Sequence, residues 1–343
     1  MAIGACGVPL FLLATASQSC GQSRIPLRWI TDPSMKGAVL TFGPGDYARQ
    51  LKVDGLDRYY EIHVPPGYEK TKAWPLVLVF HGGGGHPGTI RYESGLDRTA
   101  DQGGFLVAYP AGTAKSGALN RRALLWNDGR PFRDGTFSPV DDVGFVRTLL
   151  DDVSALFHVD PQRVYAAGYS NGAQFSYRLA QQMSGRIAAI AAVAGQRPPD
   201  QLFPKPPRPV AVLQFAGLQD RIAPYHGGVP AIDAEWQTNI KPVRESVAAW
   251  AALDGCPAEP ASTKRVGMAV AFYYGPGRDG TEVVLWTLED GGHTWPGGNV
   301  VPLPGLARLL GNVNRDIRAS DLMWEFFRRH PLDKAGSGTG PGG

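Results

Sequence analysis

Between Arg163 and Gly172 the chain carries a β-branched and aromatic segment, Val164-Tyr165-Ala166-Ala167, straight into a serine flanked by glycines, Gly168-Tyr169-Ser170-Asn171-Gly172. A helical pattern follows at once, with Phe175, Leu179 and Met183 at i, i+4 and i+8 on one face. Few folds accept a strand that turns so abruptly into a helix. A Cβ at either flanking glycine would strike the neighbouring strand or helix. The segment therefore predicts a strand, a tight turn and a helix with Ser170 at the apex, set in a sheet whose strands alternate with helices.

The rest of the chain alternates as that unit requires. Tyr47 to Val53 and Arg58 to Val64 read as strands joined through Asp54-Gly55, a hairpin signal, and Pro65-Pro66-Gly67 ends the second. Leu76-Val77-Leu78-Val79-Phe80 is continuously apolar, as a central strand covered on both faces must be. Phe105 to Tyr109 is a strand, and Val143, Val146, Leu149, Leu150, Val153, Leu156 and Phe157 form one helical stripe. Beyond the serine, Ile187 to Val193 and Val210 to Phe215 are strands, and Val243 to Leu253 is a helix stopped by Gly255. Met268 to Tyr274 and Val283 to Thr287 are strands again, and Asp321 to Arg329 is a last helix capped by Ser320. These elements predict one α/β domain over residues 46–332, with a mostly parallel central sheet, helices on both faces and an antiparallel N-terminal edge hairpin.

Composition narrows the partners. With 343 residues, 43% of them hydrophobic and 19% charged, the chain buries a sizeable core. A formal charge of +3, with Lys and Arg scattered, argues against nucleic acid as a partner. Residues 1–22 read as a leader, because Val8 to Ala16 is an apolar run too short to span a bilayer and small polar residues follow it. Two schemes are open: signal-peptide cleavage after Ala14-Thr15-Ala16, or lipid anchoring at Cys20. No Lys or Arg precedes Arg24, and Ser17 stands where a lipidated cysteine usually has a leucine. Either scheme sends the chain out of the cytoplasm, as a secreted, periplasmic or extracellular protein. Residues 23–45 read as a linker or N-terminal arm, and residues 333–343 as a disordered, glycine-rich tail. With the leader removed, Cys256 stands alone or beside Cys20, so no internal disulfide framework is implied.

A serine hydroxyl is a poor nucleophile until a base takes its proton, and the base needs a carboxylate to hold its tautomer. In the α/β-hydrolase order both follow the serine, acid before histidine. His226, His293 and His330 qualify by position. His293 lies between glycine pairs directly after a strand, in Gly291-Gly292-His293-Thr294-Trp295-Pro296-Gly297-Gly298, and is the expected base. His330 reads as a solvated charge closing the last helix, and His226 as a residue lining the site or solvent. Asp220 follows the buried strand Val210 to Phe215 at the sheet edge where Ser170 also emerges, and is the expected acid. Asp233, Asp254, Asp279 and Asp290 suit turns or caps. The oxyanion of acyl transfer needs preorganised N–H donors. Asn171, directly after the serine, supplies one, and Gly83 of His81-Gly82-Gly83-Gly84-Gly85 the other, with Gly82 next in line. Trp295, Trp126, His226 and Tyr169 are expected to contact substrate. Trp250 and Trp324 read as core, Asp141-Asp142 as a helix cap with a first-turn acid, and Asp151-Asp152 as the solvated side of that helix. This chemistry calls for no metal and no organic cofactor.

Taken together, the glycine run, Val140-Asp141-Asp142-Val143-Gly144-Phe145, Val159-Asp160-Pro161, the serine turn, Asp220 followed by Pro224-Tyr225-His226-Gly227-Gly228, and the His293 loop resemble the secreted polyhydroxybutyrate depolymerase and feruloyl esterase family. The resemblance runs from about residue 47 to residue 330. It implies an α/β-hydrolase fold and a serine esterase acting on small-molecule or polymeric esters, with Ser170, Asp220 and His293 as triad. Asn171 after the serine is more similar to the feruloyl esterases, which implies aryl or hydroxycinnamoyl esters, with polyester cleavage as the alternative. Cys256 matches a cysteine that members often pair with a later one, and no later cysteine exists here. Leu218-Gln219 precede the acid where smaller or polar residues are usual. A serine peptidase could use the same triad, but usually bears a further domain that is not visible here. A non-catalytic envelope binding protein would not need all three positions filled.

Overall fold

The computed structural model describes residues 27–30, 42–114, 124–132, 134–198, 205–230 and 240–332. The leader, Cys20, Asp233 and the tail lie outside the described residues. In chain order the strands and helices are β1 (Arg28–Ile30), β2 (Gly45–Val53), β3 (Leu56–Val64), β4 (Trp74–Phe80), α1 (Pro87–Ser94), α2 (Leu96–Gly103), β5 (Leu106–Pro110) and α3 (Asp142–Leu156). They continue with β6 (Val159–Tyr169), α4 (Asn171–Gln182), β7 (Ala189–Val193), β8 (Ala211–Gly217), α5 (Val243–Asp254), β9 (Ser262–Val266), β10 (Ala269–Tyr274), β11 (Val283–Leu288), α6 (Leu306–Leu310) and α7 (Ala319–Phe327).

All eleven strands join one sheet in the order β1-β2-β3-β5-β4-β6-β7-β8-β11-β10-β9. From β5 to β11 every neighbouring pair is parallel, so six carboxyl ends share one edge. The β2–β3 hairpin is antiparallel, and it turns through Asp54 and Gly55, both at positive φ, the pairing that lets a two-residue turn follow the strand twist. β1 adds to β2 in parallel, a strand within the stretch read as a linker or irregular arm. At the other end β10 and β9 form a second antiparallel flank, of which β9 carries no apolar alternation to announce it.

The alternation along β4 shows how the layers are held. Leu76, Leu78 and Phe80 face Phe145 and Leu149 of α3, Phe175 and Leu179 of α4, and Trp250 of α5. Val77 and Val79 face the opposite layer, with Ile90 of α1, Ala100 of α2, and Met323 and Phe326 of α7. Each such side chain contributes about 1.5–3 kcal/mol on burial, so both faces of the sheet are anchored through one strand. The short helices α1 and α2 have too few apolar positions to be read from periodicity, and packing against β4 and β5 decides them.

Asp141 caps α3 by accepting from the Gly144 amide at 2.9 Å and Asp142 is the first-turn acid, as expected, with its carboxylate buried against Arg58 at 2.7 Å. Other polar residues depart from their sequence reading. Asp152 is not on a solvated side: Arg49 and the Tyr60 hydroxyl both donate to it, leaving only Asp151 in water. Ser320 lies inside α7 rather than capping it, and its hydroxyl donates to the Ser94 carbonyl at 2.7 Å. His330 pairs with Glu282 at 2.9 Å and rests on Phe326 instead of standing free in solvent.

Candidate active site

Ser170 joins β6 to α4 with φ 54° and ψ −118°, a backbone conformation that a side-chain-bearing residue adopts only when its surroundings enforce it. The enforcement is steric and hydrogen-bonded. A Cβ on Gly168 would collide with the Gly172 carbonyl, and one on Gly172 with the carbonyls of Phe80 and His81, so the strand, the turn and the end of β4 touch through glycine alone. The Ser170 amide donates to Val193 at the end of β7, 2.8 Å away. The serine is thereby lifted to the carboxyl edge of the sheet.

Asp220 and His293 reach the same edge from adjacent strands. β8 and β11 pair through to Gly217 and Leu288, and the loops that follow stay bonded, with the Leu218 amide on Leu288 and the Gln219 amide on Gly291. His293 Nδ1 then lies 2.7 Å from Asp220 Oδ2, with both residues buried. The other Asp220 oxygen accepts from the amides of Ile222 and Ala223 at 2.8 and 2.7 Å, so the carboxylate has little rotational freedom. His293 is fixed along its backbone as well. Its amide donates to Leu310, and its carbonyl accepts from the Tyr169 hydroxyl at 2.6 Å. Asp290 anchors the same loop by accepting from Asn312 and Asn314.

The glycine run after β4 completes this edge. The amides of Gly84 and Gly85 donate to Leu124 and Gly82, whereas those of Gly83 and Asn171 meet no acceptor among the described residues. His81 is buried, accepts from the Gly112 amide at Nε2 and donates from Nδ1 to the Gly82 carbonyl, which selects one neutral tautomer. Burial holds it neutral, with a pKa pushed down to about 3. The Asn171 side chain faces the other way. It accepts from the Trp126 amide, donates to the Trp126 carbonyl and donates to Asp128, tying the loop over residues 124–132 to the start of α4. Arg130 in that loop is held by Asp128 and by Gln174 of α4.

Ser170, His293, Asn171, Tyr169 and Gly82 to Gly85 line one cleft. Of the expected substrate contacts, only Tyr169 lies there. Trp126 is 1% exposed, stacks on Phe175 and donates from its indole to the His81 carbonyl, so it supports the glycine run from beneath. Trp295, 2% exposed, points into the layer of α7 and donates to Ser320. His226 is exposed beside Tyr225 and outside the cleft, although its loop contributes Ile222, Ala223 and Pro230 to the lining. Residues that sequence reasoning missed also line it: Thr89 and Glu93 of α1, Arg130, Gln174, and the apolar Val301, Leu306, Leu309 and Leu310. Leu306, Leu309 and Leu310 stand in a leucine-rich stretch shortly after the His293 loop, interrupted only by Ala307 and Arg308, the one signal in the sequence that pointed to them.

Asp46, His63 and Asp97 come within metal-ligating distance of one another, but the Arg91 guanidinium bonds both Asp46 and Asp97 and supplies the positive charge there. Among the described residues no helix is long and apolar enough to cross a membrane.

Residues 58–197, from the opening hairpin through the serine turn, match the family described as Esterase PHB depolymerase. "Putative esterase NocK" of Nocardia uniformis subsp. tsuyamanensis is 31% identical over 293 residues, covering 82% of this chain and 82% of that protein. Feruloyl esterase B of Piromyces equi is 29% identical over 235 residues, which are 68% of this chain and 42% of that longer protein. Among solved structures, an acetyl xylan esterase from Aspergillus awamori shares the fold, with a TM-score of 0.51 at 15% identity, covering 77% of this chain and 98% of the other. A relative of that identity and coverage, together with the matched segment around Ser170, makes this chain a member of the Esterase PHB depolymerase family and a carboxylic ester hydrolase.

Proposed function

We propose that the chain is an exported serine esterase that works through an acyl-enzyme and prefers aryl, hydroxycinnamoyl-type esters. The observation that carries the triad is the 2.7 Å contact between His293 Nδ1 and a doubly anchored Asp220, at a cleft that His293 shares with the strained Ser170. With Nδ1–H directed at the carboxylate, Nε2 is left as the base. His293 takes the Ser170 proton, Oγ attacks the ester carbonyl, and the oxyanion is received by the Asn171 and Gly83 amides. Collapse of the tetrahedral intermediate breaks the bond to the alcohol, which leaves with the proton from His293. Water, deprotonated by His293, attacks the acyl-enzyme, and Ser170 recovers its proton as the acid departs.

Preference for an aryl acyl group is supported by the lining, apolar at Ile222, Val301, Leu306, Leu309 and Leu310. The feruloyl esterase name of one relative agrees with it. Export is supported by the apolar run Val8 to Ala16, and the catalytic unit is taken as residues 46–332.

A panel of methyl ferulate, acetylated xylan, short hydroxybutyrate oligomers and p-nitrophenyl acetate, scored by kcat/KM, tests the reading. Methyl ferulate is expected to lead the natural esters. Higher turnover of hydroxybutyrate oligomers would replace the aryl preference by polyester cleavage, and inactivity on all four would overturn the serine-esterase mechanism. Sequencing the N-terminus of the exported protein tests the leader, with Met1 retained as the contrary result.

A further inference from the structure

One titratable group in the cleft has no role in the chemistry above. Glu93 lies in the last turn of α1 and lines the cleft together with Ser170 and His293. Its backbone is tied down, since the Glu93 carbonyl accepts from the Asn299 amide at 3.0 Å, but among the described residues its carboxyl meets no hydrogen-bond or ion-pair partner. The nearest basic residue on its own helix, Arg91, is engaged by Asp46 and Asp97, and Arg130, the one guanidinium lining the cleft among the described residues, by Asp128 and Gln174. Glu93 is near enough to Tyr169, whose hydroxyl holds the His293 carbonyl, to push the phenol pKa further up. A desolvated carboxyl with no partner among the described residues is costly unless a ligand satisfies it.

We propose that Glu93 is a specificity-determining residue, whose carboxyl exchanges hydrogen bonds with a hydroxyl or methoxy oxygen on the ring of a bound aryl acyl group. Resting on the aryl-ester reading above, this adds the residue that tells a hydroxylated ring from a bare one. Desolvation in the cleft wall, where Glu93 is half-buried, pushes its pKa up to about 8, so near neutrality it is mostly protonated and offers one O–H donor and one carbonyl acceptor. That pair of groups matches a phenol, which also both donates and accepts. Val301, Leu306 and Leu309 supply contact area around the ring but no polar partner for its oxygens.

The test uses the full chain carrying Ser170→Ala, so that binding is read without turnover, and two uncharged ligands, ferulamide and cinnamamide, which differ only in ring oxygens. With Glu93 present, ferulamide is expected to bind at least about fivefold more tightly, the scale of one net buried hydrogen bond. Glu93→Gln, which keeps a donor and an acceptor, should retain most of that ratio. Glu93→Leu should bring it to about one while leaving cinnamamide affinity within about twofold. A ratio near one with Glu93 in place, or a ratio unchanged in Glu93→Leu, overturns the assignment. Hydrolysis of p-nitrophenyl acetate by the protein with Ser170 intact is measured alongside. Its loss would refute the esterase mechanism, whereas a failed ratio with hydrolysis intact refutes only the role of Glu93.

Discussion

Replacing Asn171 by alanine separates two functions that one residue combines. Its main-chain N–H, the proposed oxyanion donor, survives the substitution, so any loss reports on the side chain alone. That side chain makes three buried hydrogen bonds, at 2.8 Å from the Trp126 amide, 3.1 Å to the Trp126 carbonyl and 2.8 Å to Asp128. Asp128 keeps Arg130, but both backbone groups of Trp126 lose their partner. At about 1–3 kcal/mol for each of the two abandoned buried groups, Asn171→Ala should cost about 2–6 kcal/mol. The consequence extends to chemistry, because the loop that carries Trp126 also carries Leu124, whose carbonyl fixes Gly84 next to Gly83. Displacing it should lower kcat by about tenfold or more, through a misaligned donor whose removal is worth about 3–4 kcal/mol in the barrier. The assays are urea unfolding by linear extrapolation and steady-state kinetics on p-nitrophenyl acetate. Asn171→Asp sharpens the comparison, since it keeps the shape but turns a donor toward Asp128 into a second negative oxygen, and it should destabilise at least as much. An alanine variant within about 0.5 kcal/mol of the parent, with kcat unchanged, would refute the claim that this side chain supports the glycine run.

Other predictions concern groups away from the serine. Arg58 and Asp142 form a buried pair, with Arg58 also over the Phe145 ring and Asp142 accepting from the Asn127 amide. Asp142→Ala should cost about 3–5 kcal/mol in urea unfolding, and adding Arg58→Met should recover part of that, because the first change strands a charge and the second removes it. Asp254 is buried at the end of α5 with one oxygen unpartnered, and burial pushes its pKa up to about 7. An acid held above its unfolded value contributes stability that is complete below about pH 4 and is lost as the pH rises through about 7. Asp254→Asn, which keeps an acceptor for the Val210 amide, should therefore gain on the parent between pH 4 and pH 8, and a constant difference across that range would contradict the burial argument.

What the sequence made legible was the part governed by local sterics and by strict order. Gly168 and Gly172 are required by backbone contacts within a few residues and with one neighbouring strand, so the order of residues alone announces the turn. Asp220 and His293 could be found because each directly follows a buried strand. Tryptophan gave no such guidance: Trp126 and Trp295 stand in loops beside the site, yet each indole turns inward to a carbonyl or hydroxyl that only the packed layers bring near. Glu93 and Arg130 were invisible for a related reason, since α1 and the loop after β5 reach the cleft through tertiary packing and carry no periodic pattern. Asp152 read as a solvated acid, and the burial of Asp142 gave no sign, because their partners, Arg49 and Arg58, lie far away in the sequence on the opening hairpin.

The central claim is that Ser170 is a nucleophile activated by His293. Intact-mass measurement after brief exposure to a fluorophosphonate probe tests it most directly. The parent should gain a single covalent adduct that maps to Ser170, Ser170→Ala should gain none, and His293→Ala should label at least about a hundredfold more slowly, the scale of a lost general base. An unlabelled parent, or a Ser170→Ala protein labelled as fast as the parent, would contradict the account.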